Sequence, residues 1–70
     1  MIDFYSDKLC KWFTYSHLPT HLQETSKQFH DLAKWIFDNI ESSAERTVAL
    51  RKILEAKDCA VRAEIEGNDN

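Results

Sequence analysis

The sequence predicts an all-α fold: a short N-terminal helix packed on an antiparallel two-helix hairpin, with copies of the chain assembling into a homo-oligomer. Three observations carry this. Glycine and proline occur once each, as Gly67 and Pro19, so neither interrupts the chain between those positions. Apolar residues recur at i, i+3, i+4 and i+7 spacing. Two capping boxes, Thr20 with Gln23 and Ser42 with Glu45, mark helix starts.

The first helix is expected over residues 3–12, where Ile2, Tyr5, Leu9 and Trp12 recur at helical spacing with Phe13 beside them. A helix this short persists only when docked. The second is expected over 20–39, entered through Pro19. Leu22, Phe29, Leu32, Ala33, Ile36 and Ile40 share one face of it, with Thr25 and Ser26 on the same arc. Trp35 and Phe37 lie on opposite flanks, so the apolar surface is wider than one core contact requires. Residues 39–42 form the turn.

The third helix is expected over 43–66, with Ser42 as N-cap, Gly67 as C-terminal stop, and 67–70 as a frayed polar tail. It carries two apolar stripes. Leu50, Leu54, Val61 and Ile65 form one; Ala49, Ile53, Ala56, Ala60 and Ala63 form the other. Ala49, Ala56 and Ala63 have the seven-residue spacing of a close helix–helix seam. Arg46, Lys57 and Glu64 fall between the stripes, where a single core would not want charge. Two separate contacts, one within the subunit and one between subunits, would tolerate them at the boundary. The left-over apolar surface, with Trp35 and the alanine stripe, points to self-association.

Seventy residues make a single helical domain, 1–70. A chain this short buries only about 60% of its unfolded surface, so it needs a staple or a partner. The two cysteines, Cys10 and Cys59, would allow one disulfide. "MIDFYSDKLCKW" has neither the basic start nor the apolar run of a signal peptide, so a cytoplasmic setting with reduced thiols is expected. Both cysteines are therefore read as small packing residues. No apolar run approaches the ~18 residues of a membrane span. The net charge of −3, from 12 acidic and 9 basic residues, argues against a bulk DNA or RNA binder. A small anionic ligand needs only a few placed donors and is not excluded.

Metal and catalytic readings are weak. His17 and His21 are four apart but straddle Pro19, and no closely spaced cysteine pair supports zinc. There is no glycine-rich phosphate loop, HExxH or G-x-S-x-G. Glu24, Asp31 and Asp38 are seven apart and read as a solvated helix face. No metal, cofactor or catalytic activity is expected.

The stretch "KWFTYSHLPTH", residues 11–21, is the candidate binding segment. Tyr15 can stack on a nucleobase. Lys27, about two turns into the second helix, can reach a phosphate with its long side chain, and the segment feeds directly into a helix N-terminus that attracts anions. On spacing alone, a Tyr15 packed on the hairpin and a solvent-facing Lys27 explain the same residues.

"FTYSHLP", a helix with "DLAKWIFDNI", and then "SSAERTVALRKILEAKDCAVRAEI" together resemble the phage anti-CBASS cyclic-oligonucleotide sponge family of small helical proteins. The resemblance runs from Phe13 to about Ile65. It rests on Phe13, Thr14, Tyr15 and Pro19; on Leu32, Ala33 and Ile36; and on Ser43, Glu45, Ala49, Leu50, Leu54, Ala56, Ala60 and Ile65. It implies a hexamer that binds cyclic di- and trinucleotide messengers of bacterial antiphage immunity, such as 3′,3′-cyclic GMP–AMP, in the host bacterial cytoplasm. Such a protein sequesters the messenger without cutting it. The resemblance implies that Tyr15 stacks on a base and that Lys27 meets phosphate; the register leaves Ser26 and His30 as alternatives to Lys27. The sequence departs from the family pattern at Ser16-His17, at the proline-free turn Glu41-Ser42-Ser43, and at Cys59 and Val61. For a separate trinucleotide pocket, Arg46 and Arg62 are phosphate partners by charge alone. The competing expectation is a helical protein-interaction adaptor without a nucleotide ligand.

Overall fold

The computed structural model describes residues 3–68. Those residues are helical and contain no strand: a 3-10 turn at Cys10–Phe13, then helix α1 at Thr20–Asn39 and helix α2 at Ala44–Asn68.

The expected helix over 3–12 does not form. A run of turns leads instead into the 3-10 turn. Two aspartates explain this. Asp3 Oδ1 accepts the Ser6 N–H at 2.9 Å, and Asp7 Oδ1 accepts the N–H groups of Leu9 and Cys10 at 2.9 and 3.1 Å. These carboxylates take up amides that a helix would pair with carbonyls four residues back. Ile2 lies outside the described residues.

The turns place Phe4, Cys10 and Phe13 inward, where they form the core with Ala33 of α1 and Leu50 of α2. The Phe4 ring centroid lies 6.1 Å from Phe13, 5.6 Å from Phe37 and 5.5 Å from His30. Burying a phenylalanine contributes about 1.5–3 kcal/mol. The N-terminal segment thus supplies three of the five residues in the core cluster.

Helix α1 has the predicted bounds but not the predicted cap. Pro19 is the N-cap, and no side chain caps the helix. The Pro19 carbonyl accepts the N–H groups of Leu22 and Gln23 at 2.9 and 3.2 Å, so Thr20 is already inside the first turn. The inward face is also rotated. Leu22, Ser26, His30 and Ala33 are buried, while Leu32 and Ile40, expected in the core, are exposed. The physical reason is the aromatic N-terminal segment: Phe4 packs against His30 and Phe37 and turns that side of α1 inward.

Helix α2 starts one residue later than expected. Ser43, not Ser42, caps it, its Oγ accepting the Arg46 N–H at 3.0 Å, so Glu45 is not the partner in a capping box. Gly67 does not stop the helix, which continues to Asn68, and its φ is not positive. Residues 69–70 of the expected tail lie outside the described residues.

The three charges read as a boundary between contacts are ties within the chain. Arg46 Nη1 donates to the carbonyls of Phe37 and Ile40 at 3.1 and 2.8 Å, and its guanidinium lies 4.7 Å from the Phe37 ring centroid. Lys57 Nζ donates to the Trp12 carbonyl at 2.9 Å. Glu64 accepts a hydrogen bond from the Thr25 hydroxyl. The start of α2 is therefore bound to the end of α1, the middle of α2 to the 3-10 turn, and the far end of α2 to the first half of α1. The two stripes do not separate cleanly: Ala49, Leu50, Ile53 and Leu54 face inward, whereas Ala56, Ala63 and Ile65 are exposed.

Both cysteines are free. Cys10 packs in the core as expected. Cys59 does not: it is exposed, and Arg62 Nη2 donates to its Sγ at 3.4 Å. Among the described residues no helix is long and apolar enough to cross a membrane.

Candidate functional site

The segment between the 3-10 turn and α1 is pinned at both ends. Thr14 Oγ1 donates to the Lys11 carbonyl at 3.1 Å, and the Leu18 N–H closes a turn on the Tyr15 carbonyl at 3.0 Å. From α1, Gln23 Nε2 donates to the Leu18 carbonyl at 2.8 Å. These bonds hold Tyr15 against α1, where its ring meets His30 edge-on, with centroids 5.2 Å apart and planes at 78°.

His30 is a polar side chain in the inward stripe of α1, and burial demands partners for it. It has two. The Tyr5 hydroxyl lies 3.0 Å from Nε2, and the Asp31 carboxylate lies 3.0 Å from Nδ1. The Tyr5 ring also stacks on the imidazole, with centroids 5.8 Å apart and planes at 24°. Tyr5, Thr14, Tyr15, Ser16 and His30 together line an open cavity of about 240 Å³. Its walls are aromatic, and the other groups that line it are hydroxyl-bearing.

Lys27 sits one turn before His30 and 31 on α1. Its Nζ pairs with the other Asp31 oxygen at 2.9 Å. Hydrogen bonds from His30 and then Lys27 hold the Asp31 carboxyl below the usual carboxylate range. The Asp31 hydrogen bond raises Lys27, and Tyr15 lies close enough to act on the same ammonium electrostatically. One carboxylate therefore joins the Lys27 cation to the imidazole that lines the cavity.

Of the two residues expected to bind ligand, Tyr15 lines the cavity and Lys27 does not; Lys27 is exposed and paired with Asp31. Of the alternatives to Lys27, His30 lines the cavity, whereas Ser26 is fully buried with its hydroxyl unpartnered. Arg46 is committed to the end of α1, and Arg62 lies with Cys59 on the exposed side of α2. His17 and His21 are exposed, and no group of three potential metal ligands comes together among the described residues. Glu24, Asp31 and Asp38 do lie on an exposed face, with Gln28, Lys27 and Lys34 as their respective partners.

Tyr5 and His30 were not legible as a pair. Tyr5 reads as a helical core position, and it is half exposed. The available signal was His30 itself, a polar residue at i+4 from Ser26 and i−3 from Ala33, which needed a buried partner from another segment.

No family model, no curated protein and no solved structure matches the chain.

Proposed function

We propose that this protein is an anti-CBASS sponge: it binds cyclic dinucleotides such as 3′,3′-cyclic GMP–AMP, and cyclic trinucleotides, and sequesters them intact in the bacterial cytoplasm. It does so without catalysis or cofactor, as a homo-oligomer of antiparallel helical hairpins, the hexamer implied by the resemblance. The observation that carries this reading is Tyr15 at an aromatic cavity, with Lys27 joined through Asp31 to His30 of the same cavity. A purine ring stacks on tyrosine, contributing roughly 1–3 kcal/mol. The ammonium of Lys27 then exchanges Asp31 for the ligand's phosphate. An acidic chain with a few placed cations also avoids bulk nucleic acid, because a long polyanion meets net repulsion.

The test is calorimetric titration with 3′,3′-cyclic GMP–AMP, followed by chromatography of the heat-denatured mixture. Saturable binding with intact ligand released is the expected result. Tyr15→Ala and Lys27→Glu are expected to abolish binding without changing the oligomer; wild-type affinity in both would remove the site assignment. Degraded ligand would make the protein an enzyme instead.

A second reading rests on a different observation. Leu32 and Trp35, one turn apart on α1, are 51% and 59% exposed. Such a pair suits a helical adaptor that docks on another protein. Absence of ligand binding together with a tight protein partner would favour it.

A further inference from the structure

The hydrogen bonds around His30 fix a direction. Asp31 is ionised, since its carboxyl is held below the usual carboxylate range. An ionised carboxylate only accepts, so the Asp31 contact places the proton on His30 Nδ1. In the neutral imidazole of that tautomer Nε2 is an acceptor, and the Tyr5 O–H donates to it. The Tyr5 oxygen is then left with its lone pairs for the cavity. The side chain presents an acceptor there, although a free tyrosine hydroxyl could present either role.

From this we infer that Tyr5 is a specificity-determining residue of the cavity, selecting a planar ring that carries an exocyclic amine, with His30 and Asp31 as positioning residues that set the polarity of its hydroxyl. The inference rests on the proposed reading of this site as a cyclic dinucleotide site, and it names which bases that site takes: adenine or guanine in preference to a purine without an amine. The cavity's size fits one such ring, at about 240 Å³. Its walls are the rings of Tyr5, Tyr15 and His30. Asp31 itself stays outside, half exposed, and acts only through the imidazole.

Asp31 has two partners, so its two effects must be separated. Asp31→Asn and Asp31→Leu both release Lys27 and both delete the charge. They differ in one respect: the asparagine amide oxygen still accepts from His30 Nδ1–H, and leucine does not. Comparing these two variants isolates the relay from the salt bridge.

The experiment is calorimetric titration of the full chain with 3′,3′-cyclic GMP–AMP and with cyclic di-inosine monophosphate, whose bases lack amines. Circular dichroism melts confirm that each variant is folded. In the wild type, cyclic GMP–AMP is expected to bind about three- to tenfold more tightly, the worth of one hydrogen bond. Tyr5→Phe is expected to erase that preference. Asp31→Asn keeps the preference, while Asp31→Leu loses it although Tyr5 is intact. In the Tyr5→Phe background the two Asp31 variants become indistinguishable, as a shared pathway requires. Equal preference in Asp31→Asn and Asp31→Leu, or a preference that survives Tyr5→Phe, would overturn the inference and leave the sponge reading standing. A wild type that binds neither ligand would overturn both.

Discussion

Replacing Arg46 with methionine keeps the length of the side chain and deletes the guanidinium, and it should destabilise the fold by about 2 kcal/mol. The figure follows from what the guanidinium touches. It donates to two carbonyls at the end of α1, Phe37 and Ile40, at 3.1 and 2.8 Å. The first is part-buried and the second exposed, and each such bond contributes roughly 1 kcal/mol net. The cation over the Phe37 ring adds about 0.5–1 kcal/mol. Against this, Arg46 Nε is buried with no partner and costs about 1 kcal/mol. For a domain this small, 2 kcal/mol lowers the melting temperature by about 8–16 °C. The assay is thermal and urea unfolding followed by circular dichroism, with the oligomeric state of both proteins measured at the same concentration. Arg46→Lys should recover only part of the loss, because an ammonium cannot reproduce the planar fork over the ring. A methionine variant within 0.5 kcal/mol of wild type, or one whose melting is unchanged while its oligomer dissociates, would refute the capping argument and return Arg46 to a subunit boundary.

Other expectations follow from the same contacts. Phe13→Ala, at a fully buried position, should cost about 3–5 kcal/mol by chemical denaturation and leave little folded protein. Burial pushes the Cys10 thiol up to about 12, so a thiol-reactive chromophore at pH 8 should titrate Cys59 at once and Cys10 only as the chain unfolds. Burial pulls the Asp7 carboxyl up, but the N–H groups of Cys10 and Leu9 outweigh it and hold the group below its ordinary value of 3.8. A carboxyl depressed in the folded state contributes stability above its unfolded value and loses it as pH falls through the folded one. Acid unfolding curves should therefore steepen below about pH 4 in the wild type and less so in Asp7→Asn.

How far the sequence could be read depended on what competed locally. The bounds of α1 were legible because Pro19 fixes its entrance and an amphipathic run of apolar residues follows. The N-terminal helix was misread because its apolar spacing was right while Asp3 and Asp7 drew the amides to themselves. Periodicity reports which side chains share a face, not whether the backbone takes the helical bond. The inward face of α1 was misjudged at Leu32 and Ile40 because the aromatics that choose the face come from another segment. For the same reason Arg46, Lys57 and Glu64 looked out of place: their partners are carbonyls and a hydroxyl on other elements, and no spacing rule contains those. At the site, Tyr15 was legible from its neighbourhood in the chain. The Tyr5–His30 contact was not, since 25 positions separate the two residues.

The inward residues of α2 are not evenly buried. Leu50 is its one buried position among the described residues, and from Arg51 to Gly67 every side chain keeps some contact with water. Substitutions at solvent-facing positions usually shift stability by no more than about 0.5 kcal/mol. The exposed positions in the second half of this helix, such as Glu55, Ala56, Ala63 and Ile65, can therefore change at little cost to folding, while Phe4, Phe13 and Ala33 in the core, and Ile53, Leu54, Lys57 and Glu64 that pack on or bond to the rest of the fold, cannot change as freely. For a chain of this size that amounts to a division of labour along one helix: the core and its few ties secure the architecture, and the exposed positions between those ties are free to vary what the molecule presents to its surroundings.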